Sequence, residues 1–308
     1  MLTTLATTDA VTWITILVKA LAYGATLLAA GSVLVASTLT HLSAEGRRVL
    51  GLQAVAFALV AAMASAAALP LRASFLMGGT WAGSFDPGLL AIVMDSPLGT
   101  SLVTRLLGLS LILAALLGTR TGRGVALVGA VLACASFALK GHTLGDPRWV
   151  LAGLITVHML GLAFWVGAFA PLTRAARVGS VADAGHLAHE FGAKALWIVG
   201  ALIVAGAALL ATLGVASPQA LGTPYGQTFA LKLAFFVGVI GLAAFNKLRL
   251  TPALLAGDIS APDRLRRSIR VEAALVVAVL LTTATLTTVT SPQAPETTAR
   301  VTLERTVA

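Results

Sequence analysis

Apolar residues gather along the chain into eight long runs, roughly residues 12–39, 49–71, 98–118, 124–141, 149–172, 194–214, 225–246 and 269–289, separated by short polar connections. A helix needs about 20 mostly apolar residues to cross the hydrocarbon core of a bilayer, and these runs meet that length. Their residues do not alternate with a period of two, so they read as helices and not as strands of a closed barrel. Prolines such as Pro70, Pro97, Pro147, Pro171 and Pro224 fall at or near the run ends, where a missing backbone donor is tolerated. The pattern predicts an all-α, polytopic membrane bundle of eight transmembrane helices, forming one domain over residues 1–290. The stretch 291–308 has too little apolar surface to fold alone and is expected to be a short mobile tail.

Composition strengthens this picture. Of 308 residues, 58% are hydrophobic and 11% charged, whereas soluble domains run at about 45–50% and about 25%. A soluble globular protein is excluded. The net charge of +9 reflects topology and not a nucleic-acid footprint, because the basic residues sit in the connections. Thirteen Lys and Arg residues lie in the first, third, fifth and seventh connections and five on the opposite side. The positive-inside rule then places the odd connections in the cytoplasm and both termini outside. The first run lacks a preceding basic region and is too long for a cleaved signal peptide, so it is expected to be the first span. A single cysteine, Cys134, excludes a disulfide within one chain. No phosphate-binding loop, dinucleotide fingerprint, nucleophile elbow or zinc-protease helix occurs, so the chain is not expected to be an enzyme.

The chemistry lies in polar residues inside the runs. Lys19, Arg105 and Lys232 fall in the first, third and seventh runs and His158 in the fifth. At ~1.5 Å per residue they form a layer ~10–14 Å below the outer helix ends. Charges at that depth are costly and mark a functional-site candidate; alternatively the long side chains snorkel outward or pair with Asp86 and Asp95 in the outer connection. His158 shares a helix face with Gly161 and Trp165 and is expected to face protein. His142, at the outer end of the fourth run, is a candidate partner for it. Two imidazoles meeting in an outer cavity suit copper, zinc or iron. Met77 and Met94, in the long outer connection, are candidate thioether donors with a preference for Cu(I), whereas Met159 points about 100° away from His158. That connection, with Trp81 and several glycines, is expected to cap the bundle at the membrane interface. His41, His186 and His189 read as solvated connector residues. Glu272 reads first as a helix-terminal partner of Arg267 and Arg270, and alternatively as a proton-coupling carboxylate.

These residues resemble the copper resistance protein D (CopD) family of bacterial inner-membrane proteins. The resemblance covers nearly the whole chain and is strongest over 141–290. It is carried by Gly141-His142-Thr143, the run His158 to Gly167, Tyr225-Gly226-Gln227 followed by Lys232, the run Asn246 to Pro252, and Ser268 with Glu272. The segment Asp86-Pro87 through Ser96, Gly99 and Arg105 is similar to the family's outer connection. The resemblance implies an eight-helix protein of the bacterial inner membrane that moves copper from periplasm to cytoplasm, often beside a periplasmic copper-binding protein of the CopC type. It implies a role for His142 and His158, with copper as substrate and no organic cofactor; Lys232 and Glu272 match the pattern without an assigned role. One departure stands out: Ala22 occupies the position, shortly after Lys19, where family members often carry a histidine. A b-type haem electron carrier is the alternative, since helical bundles can hold haem between facing histidines. A non-transporting assembly partner is a third reading.

Overall fold

The structure, a computed structural model, describes residues 9–141, 147–212 and 223–288. His142 and the tail 291–308 lie outside the described residues. Eight helices are long and apolar enough to cross a membrane: Ala10–Thr38, Ala44–Leu76, Pro97–Leu117, Arg120–Leu139, Arg148–Val178, Val181–Ala208, Tyr225–Leu255 and Ala261–Leu286. No strand occurs among the described residues. The eight spans therefore match the eight apolar runs, and the chain is a multi-pass membrane protein.

In chain order the helices are α1 (Ala10–Thr38), α2 (Ala44–Leu76), the short α3 (Pro87–Met94), α4 (Pro97–Ile112), α5 (Arg120–Ala135), α6 (Arg148–Gly167), α7 (Phe169–Val178), α8 (Val181–Thr212), α9 (Pro224–Phe245), α10 (Thr251–Leu255) and α11 (Ala261–Leu286). Local chemistry sets their starts. Side chains of Asp9, Ser43, Ser96, Thr119 and Thr223 accept hydrogen bonds from the first-turn amides of α1, α2, α4, α5 and α9, which lack partners in the helix itself. Tight 3-10 turns finish α4 and α5 at Leu113–Leu117 and Ser136–Leu139. The connection after α2 folds into a 3-10 turn, Trp81–Gly83, and α3, which lie against α2 and α4. Asp86 is used there as the N-cap of α3, accepting from the Leu89 amide at 2.8 Å.

Small residues decide how closely the helices approach. A Cβ on Gly167 would come within 2.3 Å of the Gly31 carbonyl carbon, and one on Gly31 within 1.9 Å of the Ala163 oxygen. The crossing of α1 and α6 is therefore backbone against backbone, the arrangement small residues permit in membranes. Gly108 and Gly129 make the same kind of contact between α4 and α5. Helix α1 thereby becomes the centre of the bundle, touching α2, α4, α5, α6 and α11. The two ends differ in charge. The starts of α2 and α5 and the α7–α8 and α10–α11 regions carry most of the arginines; we call this the basic end and the opposite one the far end.

At the basic end, Glu190 of α8 ties the α1–α2 connection down. It accepts from the Thr40 and His41 amides at 2.8 and 2.9 Å, from His41 Nδ1 at 2.9 Å, and from Lys194. The His41 ring stacks on His186 at 5.7 Å. His41, His186 and His189 are all exposed.

Candidate functional site

Among the described residues the most enclosed carboxylate is that of Glu272, 3% exposed, on α11. Its Oε1 accepts from Trp165 Nε1 of α6 at 2.5 Å, and its Oε2 from Asn246 Nδ2 at 3.1 Å. Asn246 opens a π turn, Asn246–Leu250, that joins α9 to α10. The turn has a local cause: Pro252 has no amide hydrogen and crowds the carbonyl four residues earlier, and Thr251 Oγ1 donates to the Asn246 carbonyl at 3.0 Å. Widened turns of this kind occur often at functional sites. Asn246 Oδ1 and Ser268 Oγ, one turn before Glu272, are buried without a hydrogen-bond partner. Three helices thus bring these polar groups together within an apolar surround of Trp165, Ala195, Val239 and Phe191.

This differs from the helix-terminal pairing that the sequence suggests for Glu272. Among the described residues no ion pair joins it to Arg267 or Arg270, both of which are exposed. The helical register aims Glu272 inward while those arginines point out. Asn246 was not among the candidate site residues of the sequence, although an amide inside an apolar run just before a Thr-Pro pair is a readable signal.

His158 lies seven residues before Trp165 on α6, towards the far end. It is half-buried, and its Nδ1 is enclosed without a partner. Lys232 of α9 is close enough to act on it electrostatically. One turn on, Gly161 is buried against Ile198 and Leu202 of α8, where a Cβ would stand 3.0 Å from each. Gly161 and Trp165, on the same face of α6 as His158, are both buried. Met159 is partly buried and packs against the apolar core.

The other basic residues of the layer sit together. Lys19 Nζ donates to the Thr287 carbonyl at 3.0 Å and to Thr288 Oγ1 at 2.7 Å, which fastens α1 to the end of α11. Arg105, 4% exposed, donates from Nε to Ser136 Oγ at 3.0 Å. Neither pairs with Asp86 or Asp95 among the described residues. Ala22, on the same helix as Lys19, is buried. Met77, at the end of α2, and Met94, at the end of α3, are 51% and 38% exposed. No group of three or more His, Cys, Asp or Glu among the described residues is arranged to hold a metal ion.

Comparison with known families bears directly on this arrangement. Residues 185–286 match the family described as copper resistance protein D, and residues 7–147 match its related description, copper resistance protein D-like, N-terminal domain. The two matches together take in α1 to α5 and most of α8 to α11. The chain belongs to the copper resistance protein D family. No curated protein and no solved structure matches it. The polar residues described above fall on both matched segments of this copper resistance protein D family member: Lys19 and Arg105 in the first, Lys232, Asn246 and Glu272 in the second. His158 and Trp165 lie in the segment between them. Membership makes this a copper-related membrane protein.

Proposed function

We propose that the protein carries copper ions inward across the bacterial inner membrane, with the far end facing the periplasm and both termini on that side. The orientation rests on the excess of cationic connections at the basic end. The observation that carries the transport reading is the His158 ring, whose Nδ1 is enclosed without a hydrogen bond in the far half of the bundle. A neutral imidazole nitrogen in that position is a ready donor to a soft or borderline metal ion.

In this reading copper is the substrate, and no organic cofactor takes part. His142, which the sequence sets between the fourth and fifth spans, supplies the outer imidazole. Met77 and Met94, exposed at the same end, supply thioether donors that guide Cu(I) towards His158. The face of α6 then leads from His158 to Trp165 and the Glu272 carboxylate, which offers the cation a compensating charge before the basic end. A periplasmic copper-binding protein of the CopC type delivers the ion.

The test is copper accumulation in cells expressing the protein. His158→Ala is expected to lower accumulation to the level of cells without it, at equal membrane abundance. Undiminished uptake by the variant would remove the basis of the proposal.

A further inference from the structure

The far end of the bundle contains a second polar cluster, built on residues other than His158 and Glu272. Arg105 reaches into it from α4, about 12 Å below the helix start at the usual rise per residue. Its guanidinium lies over the Phe137 ring, Cζ 4.1 Å from the centroid, while Nε is held by Ser136 Oγ at 3.0 Å. Ser136 Oγ donates in turn to the Ala133 carbonyl at 2.7 Å. The whole residue is only 4% exposed, yet Nη2 is buried with no hydrogen-bond partner.

Two further cations belong to the cluster. Lys140 Nζ stands 5.3 Å from the Tyr23 ring centroid and 5.8 Å from that of Phe137, and Tyr23 packs edge-on to Phe137 at 5.1 Å. Lys19 lies one turn before Tyr23 on the same helix. The Phe137 ring and the Ser136 hydroxyl hold Arg105, and the Thr288 hydroxyl holds Lys19, without cancelling their charge, and among the described residues no carboxylate pairs with either. A buried guanidinium with an idle donor calls for a counter-charge, and planar guanidinium donors flanked by ammonium groups match the oxygens of a phosphate.

We propose that this cluster is an anion site that binds one phosphate group, contributed either by free inorganic phosphate or by a phospholipid headgroup, with Arg105 as the principal donor and Lys19 and Lys140 completing it. The site stands apart from the copper reading, since none of its residues is a proposed metal ligand.

The experiment uses the full chain purified in detergent. Its thermal midpoint is followed against added inorganic phosphate, against phosphatidylglycerol, and against chloride at equal ionic strength, and phosphorus bound per chain is measured after detergent washing. The parent is expected to gain stability with one phosphate source over chloride, or to retain about one phosphorus per chain. Arg105→Gln is expected to weaken that response at least tenfold in apparent affinity, and Arg105→Lys to retain part of it. A response to phosphatidylglycerol alone assigns the headgroup; a response to inorganic phosphate assigns the free ion. No phosphorus and no specific response in the parent, or an equal response in a folded Arg105→Gln variant, overturns the proposal. So does the appearance of a phosphate response only when Asp146, Glu296 and Glu304 are replaced by their amides, which would mean that the chain's own carboxylates fill the site.

Discussion

Trp165 of α6 and Glu272 of α11 are joined by a hydrogen bond of 2.5 Å from the indole nitrogen to the carboxylate, while the indole ring itself packs among apolar side chains. The bond ties α6 to α11 two turns from His158. Trp165→Phe keeps much of the packing and removes the donor, leaving the carboxylate with Asn246 alone. Loss of one partner of a buried charged acceptor costs about 1–3 kcal/mol. The thermal midpoint is expected to fall accordingly, and the double variant with Glu272→Gln is expected to fall by less than the sum of the two single variants.

If His142 and His158 hold the same ion, removing either one already breaks the site. His142→Ala and His158→Ala are then each expected to reduce copper uptake about as much as the double variant, since residues acting as a unit are not additive. Additive losses in uptake assays would separate the two histidines into independent steps.

The contact of Gly31 with Gly167 allows a prediction with an internal control. Gly167→Ala places a methyl 2.3 Å from the Gly31 carbonyl carbon, and overpacking of that kind costs about 1–3 kcal/mol. Gly153→Ala, on the same helix with open space around the new methyl, is expected to be neutral or mildly stabilising, by up to about 1 kcal/mol. Unfolding in mild detergent checks both.

Asp258, in the turn between α10 and α11, is outside the spans. Its carboxyl is held below the usual aspartate range by the Ser260 hydroxyl first and the Ser260 amide next, at 2.6 and 2.8 Å, with Arg264 adding to the effect. A lowered carboxyl contributes stability above its unfolded value and loses it as pH falls through the folded one. Ser260→Ala is therefore expected to melt slightly below the parent at neutral pH, and the difference is expected to vanish in strong acid. Thermal midpoints across the acid range check this; a constant difference would assign it to another cause.

Copper carriage of the kind proposed, without bound haem, gives no Soret absorption. The purified protein is expected to be colourless at those wavelengths, and a Soret band would instead favour the haem reading, with histidine as an axial ligand.

How much of this was legible beforehand depends on the scale of the interaction. The eight spans were readable because desolvation of the backbone acts on every residue of a run, so the signal adds up over about twenty positions. The inward direction of Trp165 followed from helical spacing. The partner of Glu272 did not: Arg267 and Arg270 are nearest in sequence, yet the carboxylate meets Trp165, 107 positions away, and Asn246, 26 away. The pairing of Lys19 with Thr287 and Thr288 spans most of the chain, and no local pattern announces it. Asp86, by its place in the outer connection, reads as a counter-charge to the basic layer, and the structure uses it as a helix cap.

By itself, then, the order of apolar and polar residues determined the membrane-spanning class and the number of helices, and the family motifs pointed to copper, because these properties are local or cumulative along the chain. Only the tertiary structure decided which buried polar groups meet. That choice depends on helix rotation and close approach, set by a few contacts such as Gly31 against Gly167, and a rotation of one residue, about 100°, would send Glu272 to a different neighbour.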